Sequence, residues 1–406
     1  MDVTSLLAAH PVIDGHNDLL WTARAEASYD FSRLDVGTGG TPTHTDLPRM
    51  RAGGMGAQFW SVYVPCRLAG GDAVTATLEQ VDAARILTET YADQLAWATT
   101  ADEVEDAWSR DRIASLMGAE GGHSIDCSLG TLRQLFGLGV RYLTLTHNAN
   151  TPWADSATDT PAVGGLTAFG REVVREMNRL GMMVDLSHVS ADTMRAALEV
   201  TEAPVIFSHS SARAVTDSPR NAPDDVLEAM AAGGGVCMVT FVPKFVNAAC
   251  ADHHRALVAA AAESGVPESD GLRFGAFEDR WVEDHPAPTA TLDDVVAHVE
   301  HVREVAGIDH VGLGGDYDGV ESLPTGLEDV SAYPALLSAL ADRGWSYDDL
   351  ARLTCRNTLR VMREVEERAE EIQLVREPSL ARIEDLDDGL IRSGARVPRG
   401  RSGNGS

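Results

Sequence analysis

Cysteine is scarce in this sequence, with five residues among 406. They are scattered, without a C-x-x-C pair or another spacing typical of metal ligands: Cys66, Cys127, Cys237, Cys250 and Cys355. An odd and sparse count in so long a chain does not suit a disulfide framework and indicates reduced thiols. We therefore expect a reducing compartment and a cytoplasmic protein.

Positive charge is also in short supply. Lys and Arg total 33 against 62 Asp and Glu, which gives a formal net charge of −29. A nucleic-acid surface needs Lys and Arg to replace phosphate counterions, and docking on anionic lipid needs positive charge as well. The balance argues against both kinds of partner, and the acidity itself indicates solubility rather than a particular chemistry.

Long apolar runs are missing, since none approaches the roughly 20 residues that a membrane-spanning helix needs. The opening residues, MDVTSLLAAHPVIDG, lack the regions of a secretory signal and lead directly into the first predicted strand. We expect neither a membrane segment nor a leader. A hydrophobic content of 44% with 23% charged residues is ordinary for a globular protein.

Short apolar runs alternate with helical patterns along the chain. Eight runs predict strands, at residues 11–14, 56–64, 113–117, 142–146, 182–186, 205–207, 236–241 and 311–315. Eight strands separated by helices predict an α/β fold, the (β/α)8 TIM barrel. The pattern over 73–98, between the second and third strands, predicts one helix.

The predicted barrel occupies a single domain, residues 1–375. Residues 244–290 have mixed helix and loop character, which indicates an insertion between strands seven and eight. A terminal helix should begin at Ser346 and run to about Glu371. Residues 376–406 form a C-terminal extension that we expect to be largely a disordered tail.

Polar residues stand at the carboxyl ends of the predicted strands, the face where barrel active sites assemble. They are His16 and Asp18 after the first strand, Glu120 after the third, His147 after the fourth, His188 after the fifth, His209 after the sixth and Asp316 after the eighth. Chance would scatter such residues over both ends of the strands and over the helices. The pattern therefore predicts a metal site.

The types of side chain suggest which metal. Imidazole and carboxylate ligands suit zinc or a similar divalent ion. Five of these residues are candidate ligands, too many for one open tetrahedral ion but suited to two ions: His16, Asp18, Glu120, His188 and His209. Glu120 could bridge the ions, with His16 and Asp18 completing one site and His188 and His209 completing the other. Such a site lowers the pKa of a water toward ~7, which indicates hydrolysis, and Asp316 is placed to transfer the proton.

Seven stretches of the sequence carry a further signal: VIDGHNDLL, LMGAEGGHSI, LTLTHN, VDLSHVS, FSHSSAR, PRN and HVGLGGDYDG. Together, and in this order from about Pro11 to Val365, they resemble the renal (membrane) dipeptidase family, peptidase family M19 of the amidohydrolase superfamily. The order of the whole set makes the resemblance specific, whereas any one stretch would not.

The resemblance implies a role for each residue by position. The ligands of two Zn²⁺ ions would be His16, Asp18, Glu120, His188 and His209, with Glu120 also taking part in catalysis. Asp316 would be the acid/base, His147 would polarise the scissile carbonyl, and Arg220 would hold the substrate carboxylate; all three would contact the substrate. The implied enzyme is a zinc-dependent dipeptidase that cleaves L-Xaa-L-Xaa and L-Xaa-D-Xaa dipeptides through a hydroxide bridging the ions.

The sequence departs from the family in two respects. Animal members are secreted and lipid-anchored, and nothing here supports either property. Some members place a tyrosine near the substrate carboxylate after strand seven, where this chain has Thr-Phe-Val-Pro-Lys at 240–244. The preference for substrate side chains is therefore left open.

Two alternatives to a dipeptidase stay open at this point. One is another amidohydrolase, such as a lactonase or a deaminase; a deaminase typically works with one metal, and the carboxylate clamp at Arg220 favours a dipeptide. The other is a non-catalytic metal-binding barrel, against which Asp316 and His147 argue. For partners we expect a small dipeptide, no nucleic acid and no membrane, and we leave a homo-oligomer such as a dimer open.

Overall fold

A computed structural model describes residues 2–266 and 271–387. Nine parallel strands form one sheet: β1 Val12–Asn17, β2 Met55–Tyr63, β3 Leu95–Trp97, β4 Ile113–Glu120, β5 Val140–Thr144, β6 Met183–Asp185, β7 Val205–Ser210, β8 Val236–Val239 and β9 Val311–Leu313. Eight of them close a barrel, because β1 pairs with both β2 and β9 and β2 pairs with β4. The predicted (β/α)8 barrel is confirmed.

The ninth strand, β3, corrects the prediction of a single helix over 73–98. The helix ends at Thr90, and Leu95–Trp97 pairs with the first half of β4. On that side of β4, the partner β5 begins its pairing only at Met117. The short strand fills the edge that β5 leaves open, and three residues are too few to show a strand period in the sequence.

Helices surround the barrel: α1 Val3–Ala9, α2 Leu19–Ala27, α3 Leu47–Ala52, α4 Gly71–Thr90, α5 Ala101–Ser109, α6 Leu129–Gly137, α7 Ala168–Leu180, α8 Ala191–Val200, α9 Asp224–Ala232, α10 Pro243–Val246, α11 Ala248–Glu263, α12 Gly271–Asp284, α13 Leu292–Ala306, α14 Tyr333–Asp342, α15 Tyr347–Ala351, α16 Asn357–Gln373 and α17 Ile383–Leu386. The expected insertion between the last two barrel strands contains α10, α11 and α12. Within the described ranges, no helix has both the length and the apolar character needed to cross a membrane.

Helix α7 illustrates how local sequence builds the outer layer. The Thr167 side chain accepts a hydrogen bond from the Gly170 N–H at its start, and Gly181 ends it in the left-handed conformation with φ 83°. Its apolar residues recur at helical spacing and are buried: Phe169, Val173, Val174 and Met177. Capping and periodicity thus agree on one helix with one face toward the core.

The terminal helix differs from the prediction of one continuous helix from Ser346 to about Glu371. A π-helical turn at Arg352–Arg356 separates α15 from α16. Directly after it, Asn357 donates a hydrogen bond to the Val311 carbonyl over 2.8 Å. The wider turn therefore brings a polar side chain onto the start of β9, a tertiary contact that sequence periodicity does not reveal.

The start of the predicted C-terminal extension packs on the barrel. Arg376 pairs with Glu202 at 2.7 Å, and the Ser379 backbone donates to Glu176 and accepts from Arg133 over 3.2 and 2.9 Å. Residues 376–387 are therefore attached to the domain. Residues 388–406 lie outside the described residues, and the disordered tail there stays a prediction.

Asp387 closes this attachment, and its loss should measurably destabilise the domain. Its carboxylate accepts hydrogen bonds from the Ala168 and Phe169 N–H groups at the start of α7, both over 3.2 Å. Asp387→Ala would leave those donors unpaired and should lower the free energy of unfolding by about 1–2 kcal/mol. Urea denaturation measures the effect against the exposed control Asp385→Ala. Equal stabilities of the two variants would contradict the capping role.

Candidate metal centre

The structure brings all seven predicted strand-end residues together at one end of the barrel. His16 lies within β1, Glu120 ends β4 and His209 lies within β7, while Asp18, His147, His188 and Asp316 follow β1, β5, β6 and β9 by one to three residues. Six of them are buried, and the side chain of His147 is 12% exposed. Parallel strands closing into a barrel make this meeting unavoidable, because all their carboxyl ends lie on one rim.

Glu120 stands at the centre, with a different set of neighbours for each carboxylate oxygen. Its Oε2 lies 3.5 Å from His16 Nε2 and accepts a hydrogen bond from the Ser61 hydroxyl over 3.1 Å. Its Oε1 lies 2.9 Å from His188 Nε2 and 3.4 Å from His209 Nε2. The carboxylate thus faces His16 with one oxygen and His188 and His209 with the other.

The remaining donor atoms complete a compact set. Asp18 Oδ2 lies 3.2 Å and Asp316 Oδ1 4.0 Å from His16 Nε2, and the Nε2 atoms of His188 and His209 are 2.8 Å apart. Among the described residues, three groups have donor atoms within 4.8 Å of one another: His16, Glu120 and His209; Glu120, His147 and His188; His16, Asp18 and Asp316. These groups place His147 and Asp316, which we did not predict as ligands, beside those that we did.

A divalent cation fits this donor set. His16 Nε2 and Asp18 Oδ1 are buried without a hydrogen-bond partner, and both belong to the candidate ligands. Buried polar atoms in proteins nearly always have partners, so two unpartnered atoms within one set of candidate ligands indicate a site suited to a cation. Nitrogen and carboxylate donors at these separations are typical of zinc and similar ions.

The nitrogen of His16 that faces away from Glu120, Nδ1, is hydrogen-bonded to a residue that the sequence analysis missed. His16 Nδ1 lies 2.9 Å from the Tyr142 hydroxyl, which donates its own proton to the Gly15 carbonyl over 3.1 Å. The hydroxyl therefore accepts from Nδ1–H, which leaves Nε2 free for a cation. The Tyr142 ring also occupies the space beside Gly118, where an added Cβ would lie 1.9 Å from a ring carbon. Only glycine is compatible with this packing.

The other two predicted histidine ligands are held in the same way. Ser208 Oγ lies 2.8 Å from His209 Nδ1 and donates its proton to Asp185 over 2.7 Å, so it accepts from the imidazole. Asn148 Oδ1, an acceptor only, lies 3.1 Å from His188 Nδ1. Both imidazoles therefore carry hydrogen on Nδ1 and direct the Nε2 lone pair toward the centre.

A buried carboxylate, Asp14, supports the centre from below and was also missed. It accepts hydrogen bonds from the backbone N–H groups of His16 and Gly315, each over 2.8 Å, from Gln58, and from the Tyr333 hydroxyl in a short contact. These contacts join β1 and β2 to the backbone that follows β9. The available signal was an aspartate closing an apolar run two residues before a histidine, in VIDGH.

Asp185 plays the same part between β5, β6 and β7. It accepts from the Ser187 and Ser208 N–H groups over 3.1 and 2.8 Å, and from the hydroxyls of Ser208 and Thr144. The corresponding signal is VDLSH, in which the aspartate precedes the histidine by three residues. Taken alone, an aspartate at a strand end indicates a solvated loop, so its burial was not foreseen.

Two of the predicted site residues have strained backbones. His188 and Asp316 adopt φ of 66° and 62°, in the left-handed region that non-glycine residues rarely occupy. Gly319 packs directly against this loop, where an added Cβ would lie 2.3 Å from Asp18 and 2.4 Å from Asp316 oxygens. Strain of this kind persists where surrounding contacts over-determine the geometry, and it is common at functional sites.

The surroundings shift the pKa values of the Glu120 and Asp316 carboxyl groups in opposite directions. Burial alone would raise the pKa of Glu120, but the neighbouring imidazoles of His16, His147 and His188 hold it well below its usual range. For Asp316, burial raises the pKa well above its usual range, and the nearby charges of Asp18 and Glu120 add to the rise. Two carboxyls with opposite shifts in one site are suited to different roles.

Three of the four central histidines are neutral at neutral pH. In the fourth, His16, burial opposes the charged form, but Tyr142, Glu120 and Asp18 outweigh it and raise the pKa well above its usual range, so these surroundings favour a positive charge. Burial holds the pKa values of His188 and His209 well below their usual range, and the charge of Arg220 contributes to both shifts. Burial also lowers the pKa of His147 to about 4. Neutral imidazoles can act as metal ligands or as hydrogen-bond donors at neutral pH.

Arg220 is buried beside the centre, with 2% of its surface exposed. Its guanidinium donates to the His209 carbonyl and the Ser210 hydroxyl over 3.3 and 3.4 Å and lies 5.1 Å from the Phe245 ring centroid. Its Nε is buried without a partner. Burial lowers the pKa of Arg220 to about 10, which leaves it charged at neutral pH. An interior cation with an unused donor next to the site is suited to an anionic group of a ligand.

Comparisons with known proteins agree with this architecture. The sequence model of the membrane dipeptidases, peptidase family M19, matches residues 1–376. Among solved structures, the probable dipeptidase PvdM from Pseudomonas aeruginosa shares the fold with a TM-score of 0.79 at 23% identity, covering 90% of this chain and 98% of that one.

Two further structures are similar at slightly higher identity. Dipeptidase AC, a metallopeptidase of family M19, has a TM-score of 0.73 at 26% identity over 87% of this chain and 98% of that one. A metallopeptidase from Rhodobacter sphaeroides, solved with a phosphinate mimic of the dipeptide L-Ala-D-Ala, has a TM-score of 0.73 at 25% identity over 87% and 99% of the two chains. The chain therefore belongs to peptidase family M19, the membrane dipeptidase family, and is a metal-dependent enzyme that hydrolyses peptide bonds.

Proposed function

We propose that this enzyme is a dipeptidase that uses two zinc ions and accepts both L-Xaa-L-Xaa and L-Xaa-D-Xaa dipeptides. The observation that carries the proposal is the Glu120 carboxylate, which has His16 beside one oxygen and His188 and His209 beside the other. The L-Ala-D-Ala mimic bound by the Rhodobacter sphaeroides relative supports a dipeptide with a D-residue in second position. The cytoplasmic location and any homo-oligomer stay predictions from the sequence.

The proposed ligands divide between the two oxygens of Glu120. On the Oε2 side, His16 and Asp18 would hold one ion; on the Oε1 side, His188 and His209 would hold the other. Zinc held there would supply Lewis acidity and a water of lowered pKa. The acceptors on the three outer Nδ1 atoms keep each Nε2 lone pair available for this task.

Asp316 is the proposed acid/base. Its raised pKa and its position 4.0 Å from His16 Nε2 place a carboxyl able to exchange protons at the edge of the ligand set. It would take the proton of the attacking water and return it to the leaving amine. Glu120, with its pKa held low, cannot fill this role and is suited to a permanent negative charge.

His147 and Arg220 are the proposed substrate contacts. His147 is neutral, and its Nε2 lies 3.8 Å from Glu120, so its N–H can donate to the scissile carbonyl oxygen and to the oxyanion that develops from it. Arg220 would pair with the free carboxylate that every dipeptide carries one residue beyond the scissile bond. That clamp favours a dipeptide over the ring of a lactone, which has no such group.

The substitution Asp316→Asn tests the acid/base. The amide keeps the size of the side chain but cannot carry the proton, so kcat on L-Ala-D-Ala should fall by about 10²–10⁴-fold. Zinc content, measured by elemental analysis, should stay that of the parent enzyme. Glu321→Gln, an exposed change in the same loop, serves as the control. A kcat equal to that of the control would remove Asp316 from the mechanism.

Arg220→Met tests the clamp and the dipeptide assignment together. Loss of two charge-assisted hydrogen bonds should cut kcat/KM for dipeptides by at least about 10²-fold. Dipeptide amides, which lack the carboxylate, should lose far less. Arg213 donates to the Ser218 and Pro219 carbonyls in the same loop, so Arg213→Met should affect acid and amide substrates alike. The same pattern in Arg220→Met would show that its role is only structural.

A further inference from the structure

One of the four central histidines differs from the other three in the partner of its outer nitrogen. The predicted ligands His16, His188 and His209 each direct Nδ1 at an oxygen that accepts a proton. His147 instead directs Nδ1 at a sulfur, the Cys66 thiol, 3.1 Å away. A thiol can donate a hydrogen bond to Nδ1. The His147 imidazole can then carry its own hydrogen on Nε2.

The surroundings of the Cys66 thiol determine whether it donates or accepts the hydrogen bond to His147. The backbone N–H groups of Asn148 and Ala149 lower the pKa of Cys66 in part, but burial outweighs them. Burial raises the pKa of this thiol to about 11, so it keeps its proton at neutral pH. Among the described residues, the hydrogen-bond partner of the Cys66 sulfur is His147 Nδ1, which can accept the S–H proton over 3.1 Å.

We propose that Cys66 is a positioning residue that donates its thiol proton to His147 Nδ1 and thereby holds His147 in the Nε2–H tautomer. The inference rests on the proposed function, because that tautomer is the one able to donate to a scissile carbonyl. It also separates His147 from the ligands: an imidazole with hydrogen on Nε2 has no lone pair for a cation on the side of Glu120. Proximity alone had grouped it with Glu120 and His188.

The aromatic neighbours fix the ring plane but not the tautomer. The His147 ring lies 4.9 Å from the Tyr63 ring and 4.4 Å from the His188 ring, with tilted geometry in both contacts. Such contacts restrict rotation without distinguishing the two nitrogens. The Cys66 thiol does distinguish them, because it contacts Nδ1.

The test reads the tautomer directly. In ¹⁵N-histidine-labelled, zinc-loaded enzyme, long-range ¹H–¹⁵N spectra assigned with a His147→Gln variant should show hydrogen on Nε2 of His147. In Cys66→Ala the signals should shift toward a mixture of tautomers, and kcat on L-Ala-D-Ala should fall about tenfold with KM within a factor of two. Cys66→Ser, whose hydroxyl also donates, should restore most of both properties.

The control is Cys127, a partly exposed thiol elsewhere in the chain, whose replacement by alanine should change neither the spectrum nor kcat. Hydrogen on Nδ1 of His147 in the parent enzyme would overturn the proposal, and so would a Cys66→Ala variant with unchanged tautomer and kcat. The spectrum does not depend on turnover. An enzyme that hydrolyses no dipeptide yet shows the Nε2–H form would contradict the proposed function and support the assignment of the thiol.

Discussion

The buried Glu120 carboxylate and the imidazoles around it are the constraint on which the rest of the site depends. The Nε2 atoms of His188 and His209 lie 2.8 Å apart, and the acceptors on their outer nitrogens leave both without a proton there. Two facing lone pairs in a dry interior repel each other unless a positive charge lies between or beside them. The arrangement is therefore one that a cation relieves, and the opposed oxygens of Glu120 provide for two.

Holding this arrangement requires rigid strand ends, and two buried aspartates provide them. Asp14 joins β1, β2 and the backbone after β9, and Asp185 joins β5, β6 and β7. Each carboxylate accepts backbone and side-chain donors at once, so the strands that carry His16, His188 and His209 cannot shift independently. Hydrogen bonds of this kind, made behind the ligands, fix the orientation of the ligand side chains.

Much of this could be predicted from the sequence because it depends on local patterns. Strand length, helix periodicity and capping specify the eight barrel strands, and the topology then places polar residues such as His16 and Asp316 on one rim. Strand β3 was missed because three residues show no period. Tyr142, Asp14 and Asp185 were missed because each acts on partners from other strands, and nothing in their own segments indicates those partners.

The difference between local patterns and long-range contacts also explains why the attachment of residues 376–387 to the barrel was not predicted. Residues 376–387 have a polar composition typical of a tail, yet Arg376 and Asp387 bond to Glu202 and to the start of α7. The same distinction applies to His147. Its position after β5 was predictable, whereas its contact with the Cys66 thiol was not. Which nitrogen carries the proton is a property of the folded site alone.

The central claim is that Glu120 bridges two metal ions. Anomalous diffraction at the zinc edge from crystals of the zinc-loaded enzyme tests it most directly. The account predicts two peaks about 3.5–4 Å apart, one on each oxygen of Glu120, with His16 on one side and His188 on the other. A single peak at saturating zinc, or two peaks with Glu120 bound to only one of them, would contradict it.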